Sequence, residues 1–196
     1  MDENEDVLLI LKFVEKQFLE STLDGNLYFS RCGNFIDLEK EQQKKGIGDA
    51  REGSWSRNME EGSKITLTPE SGESFDFIVK QGSLHESFDG LRNIPICCFV
   101  MLSLNNDFAE QNNIYTLKSE IANSLYEQFK DRKLIGFDAP ELFDRLDSTL
   151  KKSDIPFDRK PVNYYDEMNY PHPISRENYT KAPFKALFYK RKFFEF

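Results

Sequence analysis

The acidic residues near the end of segment 25–53 are the side chains best placed for chemistry. Asp49 and Glu52 stand three positions apart beside flexible glycines. Carboxylate oxygens at that spacing can converge on one side of a turn and hold a metal ion or a ribose hydroxyl. The structural alternative is that Asp49 caps the turn leading to Trp55 while Glu52 faces water. Both interpretations fit a long polar loop beside a short apolar strand, a pattern typical of binding segments.

Other polar and aromatic groups offer weaker signals. Arg31 and Arg51 bracket the segment and could clamp a phosphate in bidentate fashion, although we expect a surface salt bridge for each. His85 and His172 lie in polar stretches and could act in catalysis, or simply be exposed or hydrogen-bonded. Five aromatic side chains have flat rings that could stack on a base or a nicotinamide: Trp55, Tyr164, Tyr165, Tyr170 and Tyr179. Packing in the core and loops explains them equally well.

Several kinds of site are missing from the sequence. It has no Gly-rich phosphate loop of standard spacing, no Cys or His cluster and no nucleophilic serine elbow. The cysteines are odd in number, and neighbours such as Cys97 and Cys98 would point to opposite faces of a strand. We therefore expect no metal cofactor. The three cysteines, Cys32, Cys97 and Cys98, are interpreted as reduced core residues of an intracellular protein.

Composition predicts one soluble domain spanning 1–196. The chain is 39% hydrophobic and 14% aromatic, enough for a single core. A net charge of -8, from 26 basic and 34 acidic residues, argues against direct nucleic-acid binding. No window approaches eighteen continuous apolar residues, and the first residues, MDENED, are acidic where a secretory signal is basic. We expect a cytoplasmic protein with no membrane partner.

The elements that would position these groups follow from hydrophobic periodicity and turn residues. Segment 31–53 is interpreted as an aromatic-bearing stretch leading into a polar loop. In order, the other predicted elements are a strand at 7–13, a helix at 14–23 ending at Gly25, a strand at 27–30, a polar linker at 57–63, a hairpin at 65–68 and 75–79, a central strand within 91–104, a helix at 117–129, a strand at 133–137, a helix capped by Asp138, a strand at 161–165, and a final helix and strand within 182–196. This order predicts an α+β fold in which helices pack on a curved, mostly antiparallel sheet.

Six short strings also resemble a known family. They are G-N-L-Y-F-S (25–30), F-I-D-L-E (35–39), G-I-G-D-A-R-E-G (46–53), C-C-F (97–99), L-I-G-F-D (134–138) and L-F-Y-K-R-K-F-F-E-F (187–196). Together they resemble a large uncharacterised family of bacterial and phage proteins, itself similar to the ADP-ribosyltransferase-like domains. The resemblance spans nearly the whole chain, and only the set of strings is specific. It implies a split antiparallel sheet around a nicotinamide-dinucleotide (NAD) cleft.

Carried onto this sequence, the resemblance implies particular site residues. Tyr28 and Ser30 would face the cofactor, Asp49 and Glu52 match the family turn, and Lys12 stands where a transferase places His or Arg. Of the family's C-terminal Glu and Arg, only the acid has a nearby counterpart, Glu195. Such an acid holds the ribose and stabilises the oxocarbenium-like transition state as nicotinamide leaves.

The resemblance thus implies an ADP-ribosyltransferase-like module of a phage or bacterial conflict system, with weak or lost catalysis. NAD or a nucleotide-like ligand would contact Lys12, Ser30, Arg31, Asp49 and Glu52, and the catalytic candidates are Glu195 and Tyr28. This requires the strand of Tyr28 to lie beside the last residues of the chain. The alternative is a non-catalytic phage-encoded inhibitor of a host defence complex, such as an anti-CRISPR protein. It would act by protein–protein contact through its acidic surface and the aromatic loop 164–179.

Overall fold

The structure is a computed structural model that describes residues 7–42 and 49–192. The strands are β1 (Val7–Val14), β2 (Ser30–Arg31), β3 (Trp55–Met59), β4 (Lys64–Leu67), β5 (Phe75–Ile78), β6 (Gly82–Glu86), β7 (Pro95–Ile96), β8 (Val100–Ser103), β9 (Phe108–Gln111), β10 (Ile114–Leu117), β11 (Lys133–Asp138), β12 (Asn163–Tyr165) and β13 (Tyr189–Arg191). The helices are α1 (Leu19–Leu23), α2 (Cys32–Gln42), α3 (Leu104–Asp107), α4 (Ser119–Phe129), α5 (Ala139–Lys152) and α6 (Arg176–Lys181). Short 3-10 helices cover Lys16–Phe18, Asp89–Asn93 and Pro183–Phe188.

The described residues fall into two compact units. The first comprises 7–30 and 96–159, and the second comprises 31–42, 49–95 and 160–192. The prediction of a single domain over 1–196 stays a prediction. The α+β class is confirmed, because helices alternate with small, mostly antiparallel sheets.

The first unit is built around β1, the middle strand of an antiparallel sheet ordered β11-β1-β8. Neighbouring residues of a strand point to opposite faces. Ile10 accordingly packs on one face with Ala139 and Leu142 of α5. Leu11 packs on the other face with Leu102 and with Leu125 of α4. The apolar run predicted as a strand at 7–13 therefore buries both of its faces between two helices.

The second unit has its own core. Trp55 at the start of β3 packs with Ile174, Tyr179 of α6 and Ala186, and Tyr189 of β13 lies against this cluster. Strands β12 and β13 pair in parallel, whereas β3 pairs with β6 and β4 with β5 in antiparallel register. The core thus joins the two sequence segments of the second unit, since Trp55 and Ile174 are 119 positions apart in the sequence.

Local signals explain the elements that were predicted correctly. Asp138 caps α5, since its Oδ1 accepts a hydrogen bond from the backbone N–H of Glu141 at 2.9 Å. The helix before Gly25 ends as expected, with Gly25 at φ 91°, a left-handed conformation that glycine adopts easily. The hairpin predicted at 65–68 and 75–79 is confirmed as β4 and β5.

Other predicted elements were wrong. Residues 27–29 form no regular strand, and only Ser30 and Arg31 make up the short β2. The central strand expected within 91–104 is interrupted: a 3-10 helix ends at Asn93, and Cys97, Cys98 and Phe99 link β7 to β8 without strand pairing. The stretch after Arg31, interpreted as leading into a loop, forms helix α2, because its Leu, Glu, Lys and Gln residues are good helix formers.

The cysteines differ from the prediction in the same region. Cys32 is fully buried, as expected of a core residue, whereas Cys97 is half-buried and Cys98 is exposed. All three are free thiols. Separately, no helix among the described residues is both long and apolar enough to cross a membrane.

Candidate functional site

The acidic turn of the second unit is a tightly built structure. Asp49 Oδ1 accepts a hydrogen bond from the N–H of Arg51 at 2.9 Å, and the N–H of Glu52 donates to the carbonyl oxygen of Asp49 at 2.9 Å. The alternative in which Asp49 caps this turn is confirmed. The same alternative also predicted that Glu52 faces water, and this part is wrong. Asp49 and Glu52 are both buried, at 4% and 6% exposed.

Cations from the end of the chain neutralise the turn. Arg191 Nη2 lies 2.6 Å from Asp49 Oδ1, and Lys190 Nζ lies 3.0 Å from Glu52 Oε2. Both cations belong to β13, which the parallel pairing with β12 holds in place. A buried carboxylate without such a partner would carry a large desolvation penalty. The ion pairs therefore fix the turn against β13.

The network extends to the surface through Glu167. Arg51 Nη1 lies 2.6 Å from Glu167 Oε1, and Arg191 Nη1 lies 4.0 Å from Glu167 Oε2. The salt bridge expected for Arg51 is confirmed. Charges alternate from Asp49 through Arg191 and Glu167 to Arg51, so each buried charge faces an opposite one.

Burial controls the proton affinities in this turn. It raises the pKa of Glu52 above the usual 4.5, an effect that Lys190 partly offsets. Burial, with a smaller contribution from the charge of Glu52, raises the pKa of Cys32 to about 12. The Cys32 thiol is accordingly protonated at neutral pH and unsuited to nucleophilic chemistry.

The arrangement does not fit the ligand roles first considered for the two acids. Both carboxylates of Asp49 and Glu52 already face cations of β13, so holding a ribose would require breaking an ion pair. Within residues 7–42 and 49–192, no group of three or more His, Cys, Asp or Glu side chains is placed to hold a metal ion. The turn serves as a structural connection.

The remaining predicted site residues are dispersed. Lys12 on β1 donates from Nζ to the carbonyl oxygen of Cys98 at 2.8 Å. Tyr28 is 74% exposed in the irregular segment after α1, and Ser30 and Arg31 form β2. Lys12, Tyr28 and Ser30 belong to the first unit, and Arg31 belongs to the second. Glu195, together with the predicted contact between it and the Tyr28 segment, lies outside the described residues.

His85 differs from its expected loop position, whereas His172 lies in the irregular segment between β12 and α6, as expected, but is buried there. His85 lies on β6, with Nε2 2.6 Å from Ser83 Oγ. His172 is 5% exposed, and its Nδ1 accepts a hydrogen bond from the N–H of Ile174 at 3.1 Å. Burial lowers the pKa of His172, which keeps the ring neutral where it packs between Tyr165 and Tyr189.

The aromatic loop 164–179 is less exposed than a contact patch requires. Tyr179 is buried, and its hydroxyl donates to the carbonyl oxygens of Gly53 and Glu86. Tyr164 and Tyr165 are half-buried, which leaves Tyr170 as an exposed ring. The rings of this loop therefore serve mainly as packing residues.

A long antiparallel ribbon stands out instead, and only its outer half was predicted from the sequence. We call residues 55–86 the arm. Strands β3 and β6 form its base and β4 and β5 its tip, while reciprocal hydrogen bonds of 2.8 Å join Gly62 N–H to Val79 O and Val79 N–H to Ser63 O between them. The base is anchored, since Trp55 Nε1 donates to Ile174 O at 2.8 Å and Asn58 Nδ2 donates to Glu167 O at 3.0 Å.

One face of the arm tip is apolar and open. Directly paired residues of antiparallel strands share a face. The register therefore places four apolar side chains together, and we call them the apolar face: Ile65, Leu67, Phe75 and Phe77. Leu67, Phe75 and Phe77 are 55%, 54% and 52% exposed. The opposite face carries the salt bridge between Lys64 and Asp76 at 2.8 Å.

The alternation of apolar residues was the signal that predicted this hairpin, and it normally marks a face that packs on a core. The structure leaves the apolar face open, which the pattern alone does not reveal. Comparisons of the chain with protein-family models, with curated proteins and with solved structures found no match.

Proposed function

We propose that this protein is a non-catalytic binding protein that contacts a partner protein through the apolar face of the arm. The observation that carries the proposal is the exposure of Leu67, Phe75 and Phe77, each more than half open on one face. Contiguous exposed apolar side chains mark interaction sites in soluble proteins. Aromatic anchors of this kind also dominate the binding energy of interfaces.

The size of the apolar face indicates what else the partner must supply. Burying a Leu or Phe completely is worth about 1.5–3 kcal/mol, so covering the open half of three such side chains contributes about 2–4 kcal/mol. A micromolar complex needs about 8 kcal/mol. Polar and charged contacts around the apolar face must therefore provide much of the affinity.

Charge around the arm tip indicates the kind of partner. Residues 60–80 carry five carboxylates and two lysines, and the whole chain has a net charge of -8. A second copy of the chain would set two acidic surfaces against each other, which opposes association. The complementary partner is a protein with an apolar groove flanked by Lys and Arg side chains.

The resemblance to bacterial and phage proteins suggests the biological setting. We propose that the partner belongs to a host defence complex and that binding inhibits it, as an anti-CRISPR protein does. An acidic protein with an apolar contact face suits the basic surfaces that such nucleic-acid-binding complexes present.

A matched pair of variants tests the proposal. Phe75→Ser with Phe77→Ser removes two rings from the apolar face, whereas Ile78→Ser removes a side chain that is 65% exposed on the opposite face. The full-length protein is immobilised and exposed to bacterial lysate. A retained protein is identified by mass spectrometry, purified, and titrated against each variant by calorimetry. Thermal unfolding checks that all variants are folded.

The double variant should weaken binding about tenfold to a hundredfold, while Ile78→Ser should change it less than about threefold. Added salt should also weaken the wild-type complex, because salt screens the charged contacts expected around the apolar face. Equal binding by the wild type and the double variant would overturn the proposal. So would sedimentation showing a homodimer that the double variant abolishes, or a monomer that retains no stoichiometric partner.

We propose, as a second candidate, an ADP-ribosyltransferase-like module with a curved split sheet that binds NAD. Its support is the sequence resemblance and the exposure of Tyr28, whose ring is accessible to a ligand. Because Asp49 and Glu52 are held in ion pairs, this proposal depends on Tyr28, Ser30, Arg31 and Glu195.

Incubation with NAD distinguishes this candidate from the first. Nicotinamide release by the wild type, measured by chromatography, should disappear in Glu195→Gln and in Tyr28→Ala. If catalysis has been lost, NAD should still raise the unfolding temperature of the wild type, and Tyr28→Ala should abolish that shift. If the wild type shows neither nicotinamide release nor a shift in unfolding temperature, the transferase-like candidate is eliminated.

A further inference from the structure

The second unit contains a half-open cavity of about 300 Å³, and none of its lining residues belongs to the acidic turn or to the apolar face of the arm. Six side chains give it its chemistry: Lys160, Asn163, Asn178, Lys185, Phe188 and Tyr189. Two cations, two carboxamides and two aromatic rings thus converge on one concavity. None of the residues that the family resemblance assigns to cofactor binding lines it.

Local structure explains why these side chains meet. The 3-10 helix Pro183–Phe188 has three residues per turn, so Lys185 and Phe188 project from the same side. The parallel pairing of β12 with β13 sets Asn163 opposite Tyr189. Asn178 comes from α6, which begins at its N-cap Ser175. Four separate elements therefore contribute to the cavity.

The floor of the cavity is held rigidly. Ile174 lines it, donates its N–H to His172 Nδ1 at 3.1 Å and accepts a hydrogen bond from Trp55 Nε1 at 2.8 Å. His172 and Trp55 are both buried in the core of the unit. The cavity is therefore largely formed before any ligand arrives, which lowers the entropic cost of binding.

Three polar side chains of the lining, those of Asn163, Asn178 and Lys185, have unused binding capacity. Among the described residues, Lys185 makes no ion pair, and the side-chain amides of Asn163 and Asn178 make no hydrogen bond. Lys160 Nζ lies 5.4 Å from the centroid of the Phe188 ring, which places a positive charge beside an aromatic face. A ligand that combines an anionic group with a flat ring complements this set.

We propose that this cavity binds a mononucleotide. The phosphate would lie between Lys160 and Lys185, the base would lie against Phe188 and Tyr189, and the carboxamide of Asn163 or Asn178 would hydrogen-bond its edge. A volume of about 300 Å³ is at the lower end of ligand pockets, which suits a mononucleotide better than a dinucleotide such as NAD. This site adds a small-molecule ligand to the proposed binding function.

Nuclear magnetic resonance titration of the full-length, ¹⁵N-labelled protein tests the site. AMP, GMP, CMP and UMP are each added, with inorganic phosphate and the four nucleosides as separate arms. At least one nucleotide should shift the amide signals of residues 163, 178, 185 and 188 in a saturable way. Phosphate alone or nucleoside alone should bind at least about tenfold more weakly.

Lys185→Gln should weaken nucleotide binding about tenfold, because a charge-assisted contact to phosphate is lost. Lys181→Gln is the matched control, since Lys181 is exposed on α6 and paired with Glu177 outside the cavity. It should leave the affinity unchanged. Both lysines are exposed, so we expect both variants to fold like the wild type.

The proposal is overturned if no nucleotide shifts these signals at about 5 mM. It is also overturned if phosphate alone binds as tightly as the nucleotides, or if the two lysine variants behave alike. These results are independent of the partner-binding experiment, because the six side chains lie outside the arm.

Discussion

Glu52 is a carboxylate buried beside Lys190, and its surroundings change how pH acts on stability. Burial raises its pKa in the folded protein above the usual 4.5. Between 4.5 and that raised value, the folded state binds more protons than the unfolded chain does. The free energy of unfolding contributed by Glu52 therefore falls as pH rises through this range.

Glu52→Gln should remove this dependence, because glutamine does not titrate. The stability of the wild type relative to Glu52→Gln should decline as pH rises from 4.5, with a slope of at most about 1.4 kcal/mol per pH unit. Urea denaturation across this range measures the difference. A relative stability that rises with pH would show that the ion pair with Lys190 outweighs desolvation.

Two aspartates with equally short ion pairs should differ in importance. The N–O distance is 2.6 Å in both Asp49–Arg191 and Asp37–Arg92. The side chains of Asp49 and Arg191 are 5% and 21% exposed. Those of Asp37 and Arg92 are 44% and 39% exposed. Asp49→Asn leaves Arg191 poorly compensated and should cost about 3–5 kcal/mol. Asp37→Asn should cost at most about 1 kcal/mol. Chemical denaturation of both variants checks the contrast, and equal losses would contradict it.

The spacing of Asp49 and Glu52 was enough to predict a capped turn, but it did not predict burial. The compensating Arg191 is 142 positions further along the chain than Asp49. A pattern read over neighbouring residues contains no information on such a pairing. For the same reason, the loop position of His172 could be predicted from its neighbours, but the packing of its ring between Tyr165 and Tyr189 could not.

Helix α5 illustrates an element fixed by local signals. Asp138 accepts from the N–H of Glu141, so Asp138→Ala should lower the free energy of unfolding by about 1 kcal/mol. Asp144→Ala, within the exposed side of the same helix, should be neutral or slightly stabilising. Thermal denaturation compares the two variants. A loss in Asp144→Ala as large as that in Asp138→Ala would argue against a capping effect.

The elements differ in how far the sequence predicts them. Strand β1, the β4–β5 hairpin and α5 follow from hydrophobic runs, alternation and a cap, all local features. The base of the arm was not predicted, because polar residues of β3 such as Arg57 and Asn58 resemble a linker. What makes them a strand is pairing with β6, including Arg57 opposite Leu84 and Asn58 opposite Ser83.

Charge and apolar exposure act together in the whole molecule. The sequence has an isoelectric point near 5.0, where repulsion between copies is weakest. Because the apolar face is open, association of the protein should be greatest near pH 5. Light scattering across pH should show this maximum, and Phe75→Ser with Phe77→Ser should reduce it more than Ile78→Ser does. If light scattering varies with pH in the same way for all three proteins, the surface responsible for association lies elsewhere.

The position of β1 in the middle of its sheet has a consequence for how the protein is made. Its neighbour β11 ends at Asp138, so at about 5–20 residues per second the ribosome needs roughly 6–25 s after β1 to synthesise it. Throughout this interval Ile10 lacks Ala139 and Leu142, and for most of it Leu11 lacks Leu102 and Leu125. The nascent chain therefore presents an early binding site for ribosome-associated chaperones, and its yield in cells should depend on them.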